Sequence, residues 1–302
     1  MSLLAKVTRG KIATPHFVII YGPDGVGKTS FAASAPNPIF LEPEQGSANQ
    51  DVARFPGVKT FAEARAAVNE LRTEKHDYKT LAIDSIDWLE PLVWAQVCVE
   101  GGGVKLIDEA YGGYGKGYTA ATRLWAEFIA DLKALRQEKS MNVVLVAHSH
   151  VKTFNDPYQA QPYDRHQLKL NDKAAALWRE AVDAVLFATY ETFVTNPEKG
   201  KKAKAFGDGK RVLYTERRPS FDAKNRDGLP FEIPLSWQEY SSAVNKSEPS
   251  ELALIKKDIE DRIAGETDGN LKALMEKGYK NAGDNLQNLG IILNTIKARQ
   301  GA

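Results

Sequence analysis

Cysteine occurs once, at Cys98, in a chain of 302 residues. A single thiol excludes an internal disulfide and fits a reducing compartment. No apolar run approaches the ~20 residues that a helix needs to cross a bilayer, so no membrane partner is expected. Met1–Gly10 lacks the apolar stretch and small-residue cleavage site of a secretory signal. Together these point to the cytoplasm. An excess of one charge is missing too. Lys and Arg number 40 against 39 Asp and Glu, a net charge of +1. Nucleic-acid contact therefore has to come from local patches rather than from a basic whole. No His, Cys or Asp cluster has zinc-ligand spacing, so no structural metal is expected. Internal repeats and long low-complexity tracts are also absent.

What is present over roughly the first 240 residues is alternation. His16–Tyr21, Pro38–Leu41, Thr80–Asp84, Asn142–Ala147 and Ala184–Thr189 are short and rich in β-branched or aromatic residues. They are apolar on both faces, as strands covered by helices on both sides must be. Helical patterns lie between them, at Phe61–Glu74 and Thr119–Gln137. The second places Leu124, Trp125, Phe128, Ile129, Leu132 and Leu135 on one stripe. Strands alternating with helices imply an α/β fold with a mostly parallel sheet. Val212–Thr215 and Pro230–Leu235 read as further strands. Near Val244 the composition shifts to a linker, Asn245–Ser250, with Pro249 in the first turn of a following helix. The expected domains are a core over 1–243 and a helical tail over 244–302.

The chemistry starts at Gly22-Pro23-Asp24-Gly25-Val26-Gly27-Lys28-Thr29, followed by Ser30. This is the phosphate-cradling pattern G-x-x-x-x-G-K-[ST], with a strand before it and a helix after it. Glycines let the backbone wrap a phosphate, and the helix start adds its positive dipole end. Lys28 would reach the β- and γ-phosphates, and the Thr29 hydroxyl would ligate Mg²⁺. The bound ligand is expected to be ATP with Mg²⁺. Asp84, ending an apolar strand, is the second metal candidate, and Ser85 or Asp87 would cap the helix that follows. Glu44, just beyond the second strand, could polarise an attacking water, and Glu42 competes with it on spacing alone. His148 follows a buried strand where a polar side chain can reach the γ-phosphate. His150 is its rival.

These motifs, in this order, resemble the RecA-like ATPase core. They are most like phage nucleotide-binding proteins of the Sak single-strand annealing type. The resemblance covers roughly residues 10–240 and rests on GKIATPHFVIIYGPDGVGKTSFA, FLEPEQG, VVLVAHSH and AKNRDGLP. It favours Glu44 as the catalytic glutamate and His148 as the sensor. The last segment resembles the K-x-R element of hexameric RecA-type helicases. By that likeness Lys224 and Arg226 reach the γ-phosphate of a neighbouring subunit, and the chain assembles with itself as a ring or filament. The large extra segments of RecA itself are not found.

In RecA-like cores the loops after the third and fourth strands bind single-stranded DNA. Glu100–Tyr118, with Lys105 and Lys116, and Val151–Leu170 occupy those places. The second mixes Lys152, Arg165 and Lys169 with Phe154, Tyr158 and Tyr163. Basic groups follow phosphates and aromatic rings offer stacking faces. Lys199–Arg211 is a third basic stretch. The resemblance thus implies an ATPase that binds single-stranded DNA in phage recombination, by annealing or strand exchange. A phage single-strand-binding or replication protein would be a further partner. Two rivals remain: a small-molecule P-loop kinase, and a nucleotide-sensing module that recruits a partner through residues 245–302.

Overall fold

The computed structural model describes residues 7, 14–44, 46–194, 205–245, 251–266, 269–283 and 286–300. The elements of the first unit are β1 (Phe17–Gly22), α1 (Lys28–Ala33), β2 (Pro38–Leu41), β3 (Ala53–Arg54), α2 (Phe61–Thr73), β4 (Thr80–Asp84), α3 (Ile86–Glu100), α4 (Lys116–Lys139), β5 (Asn142–Phe154), β6 (Tyr163–Leu168), α5 (Asp172–Ala181), β7 (Ala184–Tyr190), β8 (Phe193–Val194), β9 (Ala205–Phe206), β10 (Arg211–Tyr214), β11 (Glu232–Pro234) and α6 (Trp237–Asn245). One sheet runs in the order β11-β10-β7-β1-β5-β4-β2-β3, with β6 paired to β5. Its six strands from β3 to β7 are parallel, β10 runs antiparallel to β7, and β11 runs antiparallel to β10.

The parallel strands are buried because both faces are covered, and alternate side chains serve opposite layers. Phe17, Ile19, Tyr21, Leu81, Ile83, Val143 and Leu145 join the layer that includes α2, α3, α4 and α5. Trp125, Phe128 and Trp178 are its largest fully buried side chains on the helices, and Phe61 meets Trp125 and Phe128 edge-on. On the other side, Phe31 of α1 packs against Trp237 and Tyr240 of α6. This is the α/β core with a mostly parallel sheet that the strand pattern implied.

Local chemistry sets the helix ends. Thr60 caps α2, accepting from Glu63 N while the Glu63 carboxylate accepts from the Thr60 backbone N–H. Thr60→Ala is expected to lower stability by about 1 kcal/mol, read as a shift of the urea midpoint without a change of slope. Ser85 begins α3 without a side-chain cap, and Asp87 bonds His148 instead. The expected side-chain capping by either residue is therefore corrected: the Asp87 carboxylate is engaged by both the ring and the backbone N–H of His148.

Two other expectations change. The strand read as Asn142–Ala147 continues to Phe154, and Val151–Leu170 is largely a hairpin, with Phe154 opposite Tyr163 and Ser149 opposite Leu168. Only its first half is buried on both faces, so only that half shows the apolar run. Glu100–Tyr118 is no open loop either. Ile107–Gly112 forms a 3-10 turn, Ile107 and Ala110 are buried, and α4 already starts at Lys116.

The chain splits into two compact units, Met1–Ala243 and Val244–Ala302. The second holds α7 (Glu251–Gly265), α8 (Gly269–Ala282) and α9 (Leu286–Gln300). Ile259, Ile263, Met275, Leu289, Leu293 and Ile296 form its own apolar core. The linker residues 246–250, including Pro249, lie outside the described residues, as does the first part of the basic stretch, residues 199–204. No described helix is long and apolar enough to cross a membrane.

Candidate nucleotide site

The P-loop leaves β1 at the centre of the sheet and enters α1. Gly22 lies so close to β7 that a Cβ there would stand 2.1 Å from the Ala188 carbonyl oxygen. Gly25 and Gly27 have φ of +73° and +107°, conformations that side chains resist. Gly27 also precedes α1 in left-handed geometry, turning the helix N-terminus towards the loop's interior.

Lys28 is buried, and its Nζ donates to Gly22 O at 3.0 Å and Pro23 O at 2.9 Å. Burial lowers its pKa, against the opposing pull of Asp24, Asp84, Asp87 and Glu44. Desolvation outweighs the four carboxylates, and the two carbonyl bonds hold the side chain at the loop. Thr29 Oγ1 donates to Asp84 Oδ2 at 2.7 Å. The Asp84 carboxyl is pushed up by burial, and the Thr29 hydrogen bond partly offsets this. A hydroxyl and a carboxylate brought together at a phosphate nest form a hard-oxygen pair suited to Mg²⁺. The residues present thus fit both a nucleotide and its metal. Ser30, itself exposed, follows in the first turn of α1.

The structure distinguishes the two glutamates that spacing alone does not. Glu42 is buried, accepts from Ser47 N at 2.7 Å and lies 3.5 Å from Arg54 Nε. Its carboxylate holds the loop. Glu44 is half-buried and near enough to act on Lys28, and nothing among the described residues pairs its carboxylate.

His148 lies beside Gly22 across the β1–β5 pair. Its Nδ1 bonds Asp87 Oδ2 at 2.8 Å, its backbone N–H donates to Asp87 Oδ1 at 2.9 Å, and its Nε2 lies 3.5 Å from Asp24 Oδ1 in the P-loop. The Asp87 hydrogen bond raises the His148 pKa against the cost of burial. His150, with a pKa lowered chiefly by burial, has no comparable link.

One turn further along α3, buried Glu90 accepts from Asn171 N at 3.0 and 3.1 Å. Burial pushes its pKa up to about 7, helped by Asp87 and opposed by the Asn171 bond. The folded state therefore holds a proton that the unfolded state gives up near pH 4.5. Stability contributed by this protonation is full below that pH and is lost as pH rises through about 7. Glu90→Gln keeps an acceptor for Asn171. It should flatten that loss by on the order of 1 kcal/mol, read from urea midpoints at about pH 5.5 and 8. An unchanged pH dependence would show that Glu90 titrates normally.

Lys224 and Arg226 lie elsewhere. The Lys224 backbone pairs with Val185 near the amino end of β7, whereas the P-loop leaves the carboxyl end of β1. Lys224 Nζ donates to Arg179 O and Val182 O, and Arg226 donates to Glu180 O at 2.9 Å. Both cap the last turn of α5, where cations offset the helix dipole. Neither approaches its own P-loop. Of the basic groups assigned to DNA, Arg165 is withdrawn: it is buried, 2.8 Å from Asp222, with its guanidinium over Phe154. Lys152 is paired with Asp172, while Lys169 and Tyr158 are exposed.

Three further residues belong to the site. The sequence pattern marks Asp87 only as a cap, and nothing in it marks Tyr190 or Arg211 as P-loop neighbours. Tyr190 OH donates to Gly25 O at 3.0 Å, and Arg211 Nη1 lies 3.5 Å from Val26 O. Their sequence distance from the loop hides them.

No curated protein sequence is significantly similar to this chain. Among solved structures, a crystal structure of the RadB recombinase aligns over 69% of this chain and 84% of its own, at 14% identity and a TM-score of 0.35. The AAA domain family matches residues 14–227, which contain β1, the P-loop, Asp84 and His148. With that match over most of its length, the chain belongs to the AAA-domain family of P-loop nucleotide-binding proteins.

Proposed function

We propose that this protein is an ATPase that binds single-stranded DNA under the control of its nucleotide. The observation that carries the reading is the path from Asp24 through His148 to β5. The side chain facing the P-loop stands on the same strand that runs on, past Phe154, into the tip of the β5–β6 hairpin. A γ-phosphate at Lys28 would compete with Asp24 for His148, altering how this strand is held. Tyr158 at the hairpin tip and Lys169 at its base are exposed, offering a stacking face and a phosphate contact.

In this reading Thr29 and Asp84 would hold Mg²⁺, which when bound would supply positive charge to a transferred phosphoryl. Glu44 orients and deprotonates the attacking water, and Lys28 stabilises the transferred group. Lys224 and Arg226 would complete the site only across a subunit contact, giving up their bonds to α5. The resemblance to Sak-type proteins supports a place in phage recombination, by annealing or strand exchange within a ring or filament.

Fluorescence anisotropy of a labelled single-stranded oligonucleotide, with and without ATP–Mg²⁺ at fixed salt, tests this. Nucleotide should tighten DNA binding by roughly 5- to 150-fold, the usual range of coupling between sites. His148→Ala should keep ATP affinity within about threefold and abolish that enhancement. Enhancement that survives the substitution, or no DNA binding in either state, would reject the reading. A second reading has its own observation: α7–α9 form a unit with a separate core and an apolar groove of about 270 Å³ lined by Leu271, Leu274, Met275 and Ile292. A nucleotide-sensing module recruiting a partner through this unit would lose capture, but not ATP binding, when residues 245–302 are removed.

A further inference from the structure

Phosphate and metal account for only one side of the P-loop. Thr29 turns towards Asp84 on β4, and His148 stands on β5, so metal and γ-phosphate belong on the β5–β4 side of β1. A triphosphate laid across the loop from there directs its nucleoside end to the opposite side. That side is β7, β10 and β11.

The side chains there form a built surface. Tyr190 and Arg211 are directly opposed partners across the β7–β10 pair. Tyr190 OH donates to Gly25 O, while the Arg211 guanidinium lies 2.8 Å from where a Gly27 Cβ would stand and Leu235 lies 3.4 Å from the same point. Lys210 is tied to Glu191 and Glu232, which fixes this corner of the sheet. Tyr190 is 39% exposed and Arg211 is also open to solvent, so both retain a free face.

We infer that Tyr190 and Arg211 form the platform for the base and sugar of a nucleoside triphosphate. A phenol ring and a guanidinium side by side offer two planar faces to a base, and Leu235 supplies an apolar edge. This rests on the P-loop reading above and adds the part of the ligand that the phosphate cradle does not touch. The absence of a side chain at Gly27 acquires a second reason: a Cβ there would displace Arg211.

Titration calorimetry with ATP and with inorganic tripolyphosphate, both with Mg²⁺, separates the two claims. Arg211→Ala and Tyr190→Ala should each weaken ATP roughly fivefold to tenfold and change tripolyphosphate by less than about twofold. Tyr190→Phe keeps the ring, loses the bond to Gly25 O and should retain most ATP affinity. Equal loss for both ligands in Arg211→Ala would make Arg211 a brace for the loop and overturn the inference alone. Unchanged ATP affinity in both alanine variants would do the same. Wild-type protein that binds neither ligand, or Lys28→Ala that loses neither, would overturn the P-loop reading itself.

Discussion

Lys28→Ala is expected to weaken ATP binding by roughly 10- to 150-fold, the loss of charge-assisted contacts of about 1.5–3 kcal/mol. In the structure the ammonium is buried and bonded to two carbonyls of its own loop. It is also within the field of Asp24, Asp84, Asp87 and Glu44. Removing it deletes the cation placed to reach the phosphates and leaves the acidic groups around it without that counter-charge. Both effects act in the same direction, so the upper half of the range is expected. Calorimetric titration of ATP–Mg²⁺ measures it, and circular dichroism confirms that the variant is folded. Lys28→Met, closer in volume, separates lost charge from a lost side chain. Unchanged affinity in both would remove the phosphate role from this loop.

Glu44→Gln should bind ATP within about twofold of wild type and release phosphate at least ~100-fold more slowly, the usual contribution of a positioned general base. The contrast with Glu42→Gln makes the prediction sharp. Glu42 holds Ser47 N and faces Arg54, so neutralising it should loosen the 42–47 loop and lower stability before it affects chemistry. Phosphate release is measured with single-stranded DNA present and absent, because Lys224 and Arg226 in the proposed role act only in the assembled state. Full turnover in Glu44→Gln, with turnover lost in Glu42→Gln, would exchange the two roles.

Much of this site is legible in consecutive residues. The P-loop is local: glycine spacing, Lys28 and Thr29 follow one another, and the apolar strand before them supplies the context. Thr80–Asp84 is equally legible, because a short apolar run that ends in a carboxylate is what a strand buried on both faces leaves at the sheet's edge. The β5–β6 hairpin is harder. Its outer half, from Ser149 to Phe154, mixes polar and apolar residues on both faces and lacks the continuous apolar run that marks Asn142–Ala147. Arg165 shows the limit from the other side. A basic residue among aromatics suggests a nucleic-acid contact, but its buried partner, Asp222, lies 57 residues away. No local pattern reports such a pairing.

The sequence by itself determined the P-loop, the alternation that makes a parallel sheet and the composition break near Val244. Each depends on neighbouring residues or on a period along one element. Tertiary structure alone decided which carboxylate holds a loop and which stays open, and that Asp87 binds His148 rather than capping α3. It also decided that Tyr190 and Arg211 stand against Gly25–Gly27. These placements depend on strand order, which puts β7 and β5 on either side of β1. Order in a sheet comes from the packing of whole layers. Tyr190 and Gly25, 165 positions apart in sequence, become neighbours only when that packing is complete.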